Sequence, residues 1–438
     1  MFKLTFIGAG STVFAKNIIG DILISPDLEG YEIALYDIDH TRQEESRVML
    51  ETIRRTCRRQ ATIKAYHDRK EALAGADFIV NAIQVGGYKP GTIRDFEIPK
   101  AFGLRQTIGD TLGIGGIFRA LRTIPVLEDI SKDIHEVCPD ALFLNYTNPM
   151  AILTGYLDQV LGVRVIGLCH SVQACVPELF RMLGMDTSIE GHTSRIFGIN
   201  HQAWLTHIRD RNGRDLYPMI KKRSTDQFYD RSRDLVRLDM MRHFGYYVTE
   251  SSEHTAEYVP YYIKNSYPEL IKTFNIPLDE YPRRCETQID NWNTIRDSLV
   301  KKDHLDHHMS DEFALPIIKA TMTGTPVVIH GNVTNKGFIT NLPDDACVEV
   351  PCTIDRNGVH PHRMGDLPLQ CASLNLTNIN VQRLVIEGAR TRNKDMIRQA
   401  VYLDPHTASE LPLAVMKEMT DALFEAHSDC IPPYKESL

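Results

Sequence analysis

The chain has 438 residues and a formal net charge of −8 at pH 7, with 43% hydrophobic and 24% charged residues. This balance is typical of a globular protein of about two domains, and it excludes a disordered chain and a nucleic-acid binder with a basic surface. No run of about 18 apolar residues is present, so we expect no membrane-spanning helix. The first residues pass directly into a strand-like run without signal-peptide features. Nine cysteines without Cys-x-x-Cys pairs favour a reduced, cytoplasmic protein.

Short apolar runs alternate with helical segments over residues 1–195. The runs typical of strands are residues 3–7, 31–36, 62–66, 77–82, 141–145 and 163–168, and helical patterns follow several of them, for example over residues 42–59. Because these strands are continuously apolar, they indicate a parallel sheet that helices cover on both faces. The pattern predicts a doubly wound, Rossmann-type α/β domain, in which ligands bind outside the carboxyl ends of the strands.

Residues 196–438 differ in composition from the first half, with more charged and aromatic residues. Helical patterns occur around residues 233–243 and 384–400, and β-like runs occur at residues 326–330 and 347–350. These features predict a second, α+β domain that caps the first and carries substrate-binding and oligomerisation surfaces, as in lactate and malate dehydrogenases. The domain boundary is expected within about ten residues of position 195.

The turn after the first strand has the features of a dinucleotide site. Gly8 permits a tight turn, Gly10 lets the backbone approach a pyrophosphate, and the following helix offers free N–H groups. Asp37 ends the second strand, where a carboxylate binds a ribose 2′-hydroxyl and favours NAD over NADP. Val13 stands where the motif has its third glycine, and a tight turn without a ligand is the alternative. The predicted NAD contacts are Gly8, Gly10, Ser11, Thr12, Asp37 and Gln84.

Polar residues also follow the later strands of this half. Cys169 and His170 end one strand, Asn148 follows the strand before it, and His201 comes after the next helical stretch. A thiolate, an imidazole and an amide carbonyl near one crevice suit a borderline divalent metal. Their spacing is not that of a zinc ribbon, so a buried cysteine and a hydrogen-bonded histidine remain the alternative.

Two further polar segments are candidate sites. Asp110 precedes a glycine-rich stretch, and residues 249–258 contain three carboxylates, a histidine and Tyr258. The alternative for such a charged run is a solvated helix face. A tyrosine acts as a general base only if a cation or metal lowers its pKa, which is normally about 10.

Together these motifs resemble glycoside hydrolase family 4, whose members need NAD and a divalent metal, usually Mn²⁺. The resemblance runs over essentially the whole chain, and residues 8–12, 145–150, 169–172, 198–201, 249–262, 332–335 and 404–407 carry it. The tetrad Cys169-His170-Ser171-Val172 resembles that of the family's α-galactosidases, whereas the phospho-glycosidases have Cys-Asn or Cys-Asp there. The resemblance therefore implies an α-galactosidase, with an α-glucosidase or an α-galacturonidase as alternatives. It also implies a homodimer or homotetramer.

The resemblance implies roles for individual residues. Cys169 and His201 match the family's metal ligands, and Asn148 and Arg94 match its substrate contacts. His170 occupies the position of the general acid.

The base is implied less directly. Asp110 matches the acidic residue that makes the catalytic tyrosine more basic, and Tyr258 is the favoured tyrosine. Because the register of this segment varies between branches, Tyr261, Glu253 and Ser251 remain alternatives.

The chemistry that the resemblance implies is redox-neutral. NAD removes a hydride from sugar carbon 3, a base removes the proton on carbon 2, the glycosidic oxygen leaves, water adds, and the hydride returns. The pair Arg283-Arg284 keeps an acidic galacturonide open as a substrate, although two solvated surface charges are the alternative.

Outside the family, an NAD-dependent 2-hydroxy acid dehydrogenase and a non-catalytic NAD-binding module are competing hypotheses.

Overall fold

The computed structural model describes residues 2–185, 190–226 and 230–436. Six parallel strands form the sheet of the N-terminal half in the order β3-β2-β1-β4-β5-β6. They are β1 (Lys3–Ile7), β2 (Tyr31–Tyr36), β3 (Ala61–Tyr66), β4 (Phe78–Asn81), β5 (Leu142–Asn145) and β6 (Val165–Gly167). This order is that of the Rossmann fold, and it reverses between β1 and β4, which is where this fold places its ligand-binding crevice.

Helices connect these strands. They are α1 (Thr12–Ile24), α2 (His40–Cys57), α3 (Arg69–Leu73), α4 (Ile93–Ala101), α5 (Gly113–Val137), α6 (Met150–Gln159) and α7 (Ser171–Met182). Helix α2 shows how the sequence sets the bounds: the Asp39 carboxylate accepts the N–H groups of Thr41 and Arg42, and Arg58 ends the helix in a left-handed conformation. Strands β4 and β5 are buried along their whole length, as a sheet covered on both faces requires.

The sheet continues into the C-terminal half. Strand β10 (Val327–Thr334) pairs antiparallel with β6, and β11 (Cys347–Asp355), β7 (Thr193–Ile199), β8 (Gln202–Arg209) and β9 (Tyr247–Val248) follow it in that order, while β12 (Gly358–Pro361) pairs with β11. All pairings in this part are antiparallel. The predicted division at residues 195 and 196 therefore falls within strand β7 of a continuous sheet, and it stays a prediction.

The helices of the second half are α8 (Tyr217–Arg223), α9 (Leu235–Phe244), α10 (Ser252–Tyr258), α11 (Glu269–Thr273), α12 (Glu280–Val300), α13 (Ala314–Thr323), α14 (Leu369–Thr391), α15 (Lys394–Leu403), α16 (Pro405–Glu410) and α17 (Leu413–Ala426). The helical pattern at residues 384–400 belongs to two helices. Arg392 is left-handed at φ 53°, and the Asn393 side chain caps α15. The α/β class with a second α+β part is confirmed.

Apolar side chains pack on both faces of the sheet. One face buries residues of β1, β2, α1 and α13, and the other packs against α5, α6, α14, α15 and α17. A further cluster joins α7, α8 and α9 to β8. None of the helices in the described part of the chain is long and apolar enough to cross a membrane.

Candidate active site

The turn between β1 and α1 lies at the edge of the sheet where the strand order reverses. Gly8 has φ +91°, and a Cβ there would lie 2.7 Å from the carbonyl oxygen of Ala82, which follows β4. A Cβ on Gly10 would lie 2.9 Å from Oδ2 of Asp37, which accepts the Gly10 N–H at 2.6 Å. Neither position has room for a side chain, because the chain after β4 and the Asp37 carboxylate pack directly against the turn, and such a close-packed glycine turn fits a dinucleotide-binding motif.

The first turn of α1 follows this glycine turn directly. No side chain caps the helix at Ser11, and Thr12 is buried, its hydroxyl donating to the Gly10 carbonyl at 3.3 Å. Free N–H groups at a helix N-terminus attract phosphates. Val13 is 47% exposed, so the departure from the glycine motif does not disturb packing against the sheet. Gln84 lies beyond β4, where its amide approaches the Thr92 hydroxyl at 3.3 Å.

Three potential metal ligands meet at the carboxyl end of β6. The Sγ of Cys169, a ring nitrogen of His201 and a carboxylate oxygen of Glu250 all lie within 4.8 Å of one another. Cys169 follows β6, His201 lies in the turn between β7 and β8, and Glu250 follows β9. His201 and Glu250 have left-handed backbones, with φ 61° and 66°. Such conformations cost about 1–3 kcal/mol and are concentrated at functional sites.

Electrostatics and unmet hydrogen bonds show that this cluster fits a cation. Burial raises the pKa of Cys169 to about 11, and the Glu250 carboxylate adds to the effect. Burial also acts to raise the pKa of Glu250, but His254, His201, Arg237 and the Ser251 N–H together outweigh it and hold that pKa at about 2. His201 Nδ1 and both amide atoms of Asn200 are buried without a hydrogen-bond partner among the described residues. A divalent ion would favour the Cys169 thiolate, and carboxylate, imidazole and thiolate together suit a borderline metal.

His170 lies next to this cluster, with its side chain 42% exposed. Its Nε2 is 3.0 Å from Oε2 of Glu312, and its ring stacks on Phe313 with centroids 5.7 Å apart. The nearby Glu312 carboxylate raises the pKa of His170. No pattern in the sequence indicates Glu312, and Glu250 is predicted only as part of the candidate segment 249–258, without a role as a ligand.

Asp110 and Asn148 form a second polar group. Oδ2 of Asp110 accepts the Asn148 amide at 3.2 Å and lies 4.0 Å from the Arg119 guanidinium, which donates to the Tyr281 hydroxyl at 3.0 Å. Burial acts to raise the pKa of Asp110, but Arg119, His254, the Thr111 hydroxyl and His201 together outweigh it, and the pKa is lowered. Asp110 therefore remains an anion inside the crevice. Arg119 and Tyr281 carried no sequence signal, because they lie in helices without a motif.

A buried carboxylate holds the loop that carries Asp110. Glu257 on α10 accepts the N–H groups of Thr107 at 2.6 Å, Ile108 at 3.2 Å and Gly109 at 3.1 Å. Burial raises the pKa of Glu257 to about 7, and these N–H groups oppose the shift. The loop is thus fixed relative to α10, and Asp110 with it.

This pKa predicts a pH dependence of stability. Because the pKa in the folded protein exceeds the ordinary glutamate value of 4.5, folding takes up a proton between pH 4.5 and 7. The corresponding stabilisation is complete below pH 4.5 and is lost as the pH rises to 7, by about 3 kcal/mol. Denaturant unfolding of the wild type and of Glu257→Gln at pH 5 and pH 7.5 measures it, because the substitution removes the titrating group. An equal difference between the two proteins at both pH values would contradict the prediction.

Among the candidate bases, Tyr258 packs beside the metal ligand His201. Its hydroxyl donates to the Asn200 carbonyl at 3.1 Å, and its ring centroid is 6.3 Å from that of His201. Burial, with Asp110 and Cys169, raises its pKa well above 10, so a nearby cation is needed before it can act as a base. Which residue is the base stays a prediction.

The alternative bases have other partners. The Ser251 hydroxyl lies 3.0 Å from His254 Nδ1, Tyr261 stacks on Phe244, and the Glu253 carboxylate lies 3.5 Å from Arg284.

Arg94 pairs with a carboxylate near the C-terminus. Its guanidinium donates to both carboxylate oxygens of Asp429, at 2.8 and 3.0 Å, near the C-terminus. Arg283 and Arg284 both pair with Glu280 in α12 and are largely exposed. A substrate contact by Arg94 stays a prediction.

Comparisons with known proteins agree with this geometry. Residues 3–185 match the model of the family 4 glycosyl hydrolases, and residues 196–407 match that of their C-terminal domain. An α-galactosidase of Bacillus subtilis (strain 168) is 55% identical over 99% of this chain and 100% of its own length. A 6-phospho-α-glucosidase from gut microorganisms, solved in complex with NAD and Mn²⁺, has a TM-score of 0.80 at 23% identity, covering 99% of this chain and 100% of that one. A malate dehydrogenase of Cryptosporidium parvum has a TM-score of 0.54 at 14% identity, covering 89% of this chain and 99% of that one, and shares the fold. The resemblance seen in the sequence is confirmed, and the chain belongs to glycoside hydrolase family 4.

Proposed function

We propose that this protein is an α-galactosidase that hydrolyses terminal α-galactosides with bound NAD and Mn²⁺. The observation that carries the proposal is the cluster of Cys169, His201 and Glu250 at the same sheet edge as the Gly8–Gly10 turn. A metal site beside a dinucleotide crevice suits a hydrolase that works through a transient oxidation. The 55% identity to the Bacillus α-galactosidase supports the choice of sugar. The NAD and Mn²⁺ bound to the 6-phospho-α-glucosidase support both cofactors.

The residues of the crevice divide into two groups by the ligand that they would hold. When bound, NAD supplies reversible acceptance of a hydride and Mn²⁺ supplies Lewis acidity at the sugar oxygens. The dinucleotide would contact the turn and first helix, with its ribose on Asp37. The residues proposed for it are Gly8, Gly10, Ser11, Thr12, Asp37 and Gln84. Cys169, His201 and Glu250 would hold the cation, with Glu250 added to the pair that the sequence suggested.

The sugar would lie between these two groups. The Asn148 amide is held by Asp110 at 3.2 Å and can bind a sugar hydroxyl. His170, partly exposed beside Cys169, would give a proton to the leaving oxygen. Tyr258 would accept the proton of sugar carbon 2 after a cation at the cluster lowers its pKa. Asp110 would make Tyr258 a stronger base for that proton, since a nearby anion raises the basicity of a phenolate.

A comparison of substrates tests the proposal. With NAD, Mn²⁺ and a reductant present, we expect 4-nitrophenyl α-galactoside to react faster than the α-glucoside and the α-galacturonide, without net formation of NADH. A preference for the galacturonide would favour the related activity instead. Net NADH from a 2-hydroxy acid, without glycoside hydrolysis, would favour a dehydrogenase.

We further propose a cytoplasmic homodimer or homotetramer. All nine cysteines are free, and six of them are buried, which suits a reducing compartment. Exposed apolar residues such as Ile289 of α12 and Leu413 of α17 offer contact area between copies. Light scattering on the purified protein measures the oligomeric state directly.

A further inference from the structure

The segment that follows β4 contacts both the glycine turn and the strand end that carries the proposed sugar contact. A Cβ on Gly8 would lie 2.7 Å from the Ala82 carbonyl oxygen. The next carbonyl along the segment accepts the Thr147 hydroxyl at 3.2 Å, and Thr147 directly precedes Asn148. Because a hydride passes between the sugar and NAD, the nicotinamide must bind next to the sugar. Residues 84–87, which continue this segment, are therefore suited to contact the nicotinamide end of the dinucleotide.

A buried arginine holds this loop from the protein interior. Arg122 of α5 is fully buried, and its Nε donates to the Val85 carbonyl at 2.8 Å. A Cβ on Gly86 would lie 3.3 Å from both Cδ and Nε of the same side chain. The Gly87 N–H donates to the Gln84 carbonyl at 3.1 Å and closes the turn. The loop therefore packs against the Arg122 side chain, whereas Gln84 itself is exposed.

A buried carboxylate sets the orientation of Arg122. Oδ1 and Oδ2 of Asp95 accept hydrogen bonds from the two terminal nitrogens of the guanidinium at 3.0 and 2.6 Å. Oδ1 also lies 3.0 Å from Nε2 of His427, which is fully buried. Because the N–H groups of a guanidinium point in fixed directions, the bidentate pair with Asp95 aims Nε at the Val85 carbonyl. Apolar residues of similar volume often stabilise a protein as well as a buried charge pair does, so stability alone does not account for this one.

We propose that Arg122 is a positioning residue that sets the loop at residues 84–87 for the nicotinamide end of NAD. The inference rests on the proposed function, because it requires NAD to bind at this edge of the sheet. Arg122 would not touch the cofactor, since it acts through the Val85 carbonyl. A lysine has the same charge but a single ammonium group, which cannot hold the Asp95 carboxylate and the Val85 carbonyl in the same geometry.

Calorimetric titration of Arg122→Lys with NAD and with ADP-ribose tests the inference, because ADP-ribose lacks the nicotinamide. We expect the affinity of this variant for NAD to fall about 10-fold or more, as for the loss of a hydrogen bond to a charged group. Its affinities for ADP-ribose and for Mn²⁺ should stay within about twofold of the wild-type values, since the glycine turn and the metal ligands are unchanged. A merely structural role would weaken the binding of NAD and ADP-ribose together, or would lower only the stability.

Arg398→Lys is the matched control. Arg398 of α15 is also buried and donates to two carboxylates, those of Asp395 at 2.9 Å and Asp421 at 3.2 Å, so this variant should bind NAD as the wild type does.

If Arg122→Lys folds poorly, Arg122→Met combined with Asp95→Asn removes both buried charges and should show the same selective loss of NAD affinity. Unchanged NAD affinity, or equal losses for NAD and ADP-ribose, would overturn the inference. A wild-type protein that binds neither NAD nor ADP-ribose would reject the proposed function as well.

Discussion

Glu250→Gln is expected to remove most of the affinity for Mn²⁺ and to lower kcat/KM on α-galactosides by at least about 100-fold. The side chain has the same shape, but it exchanges an anion for a neutral amide. The pKa of Glu250 is held at about 2, so the wild-type carboxylate is charged throughout the neutral range. Loss of that charge weakens the cation site and leaves Cys169 without a metal that favours its thiolate. Isothermal titration with Mn²⁺, in parallel with kinetics, measures both effects.

Glu178→Gln is the control for general electrostatics. Glu178 is exposed on α7 and, like Glu250, faces Arg237, from which it is separated by 3.8 Å. This variant should bind Mn²⁺ as the wild type does. Unchanged Mn²⁺ affinity in Glu250→Gln would show that Glu250 is not a ligand.

Gly8→Ala is expected to destabilise the protein by about 2–5 kcal/mol and to weaken NAD binding strongly. Two effects combine, since φ +91° is unfavourable for alanine and the new Cβ would lie 2.7 Å from the Ala82 carbonyl oxygen. The backbone can relieve that contact only by separating the ends of β1 and β4, where the dinucleotide would bind. Denaturant unfolding and titration with NAD measure the two consequences.

Gly30→Ala separates strain from steric contact. Gly30 has a φ of +66°, but no atom lies within 4 Å of its would-be Cβ. This variant should lose only about 1 kcal/mol and keep its affinity for NAD. If Gly8→Ala behaves in the same way, the close contact with Ala82 is not needed for the site.

Much of the fold follows from local patterns. Continuous apolar strands separated by helices predict a parallel sheet, and the order β3-β2-β1-β4-β5-β6 confirms it. The Gly8–Gly10 turn and Asp37 meet as predicted, because a strand, a tight turn and a helix are all set by short-range sequence. The antiparallel continuation through β10 and β11 has no comparable signal, since it joins strands far apart in the chain.

The metal cluster likewise depends on contacts between residues that are far apart in the chain. Cys169 and His201 stand out through their motifs, but Glu250 is one carboxylate among three in a charged run. Its place depends on a left-handed backbone after β9 and on the pairing of β8 with β9. Glu312 lies 142 positions after His170 in the chain, and its carboxylate comes within 3.0 Å of the imidazole. Because such tertiary contacts join residues far apart in the chain, no motif spacing in the sequence predicts them.

Hydrolysis of 4-nitrophenyl α-galactoside before and after removal of metal tests the central claim most directly. Chelated enzyme with NAD present should lose nearly all activity, and Mn²⁺ with a reductant should restore it without net formation of NADH. Full hydrolysis by the metal-free enzyme would contradict the account.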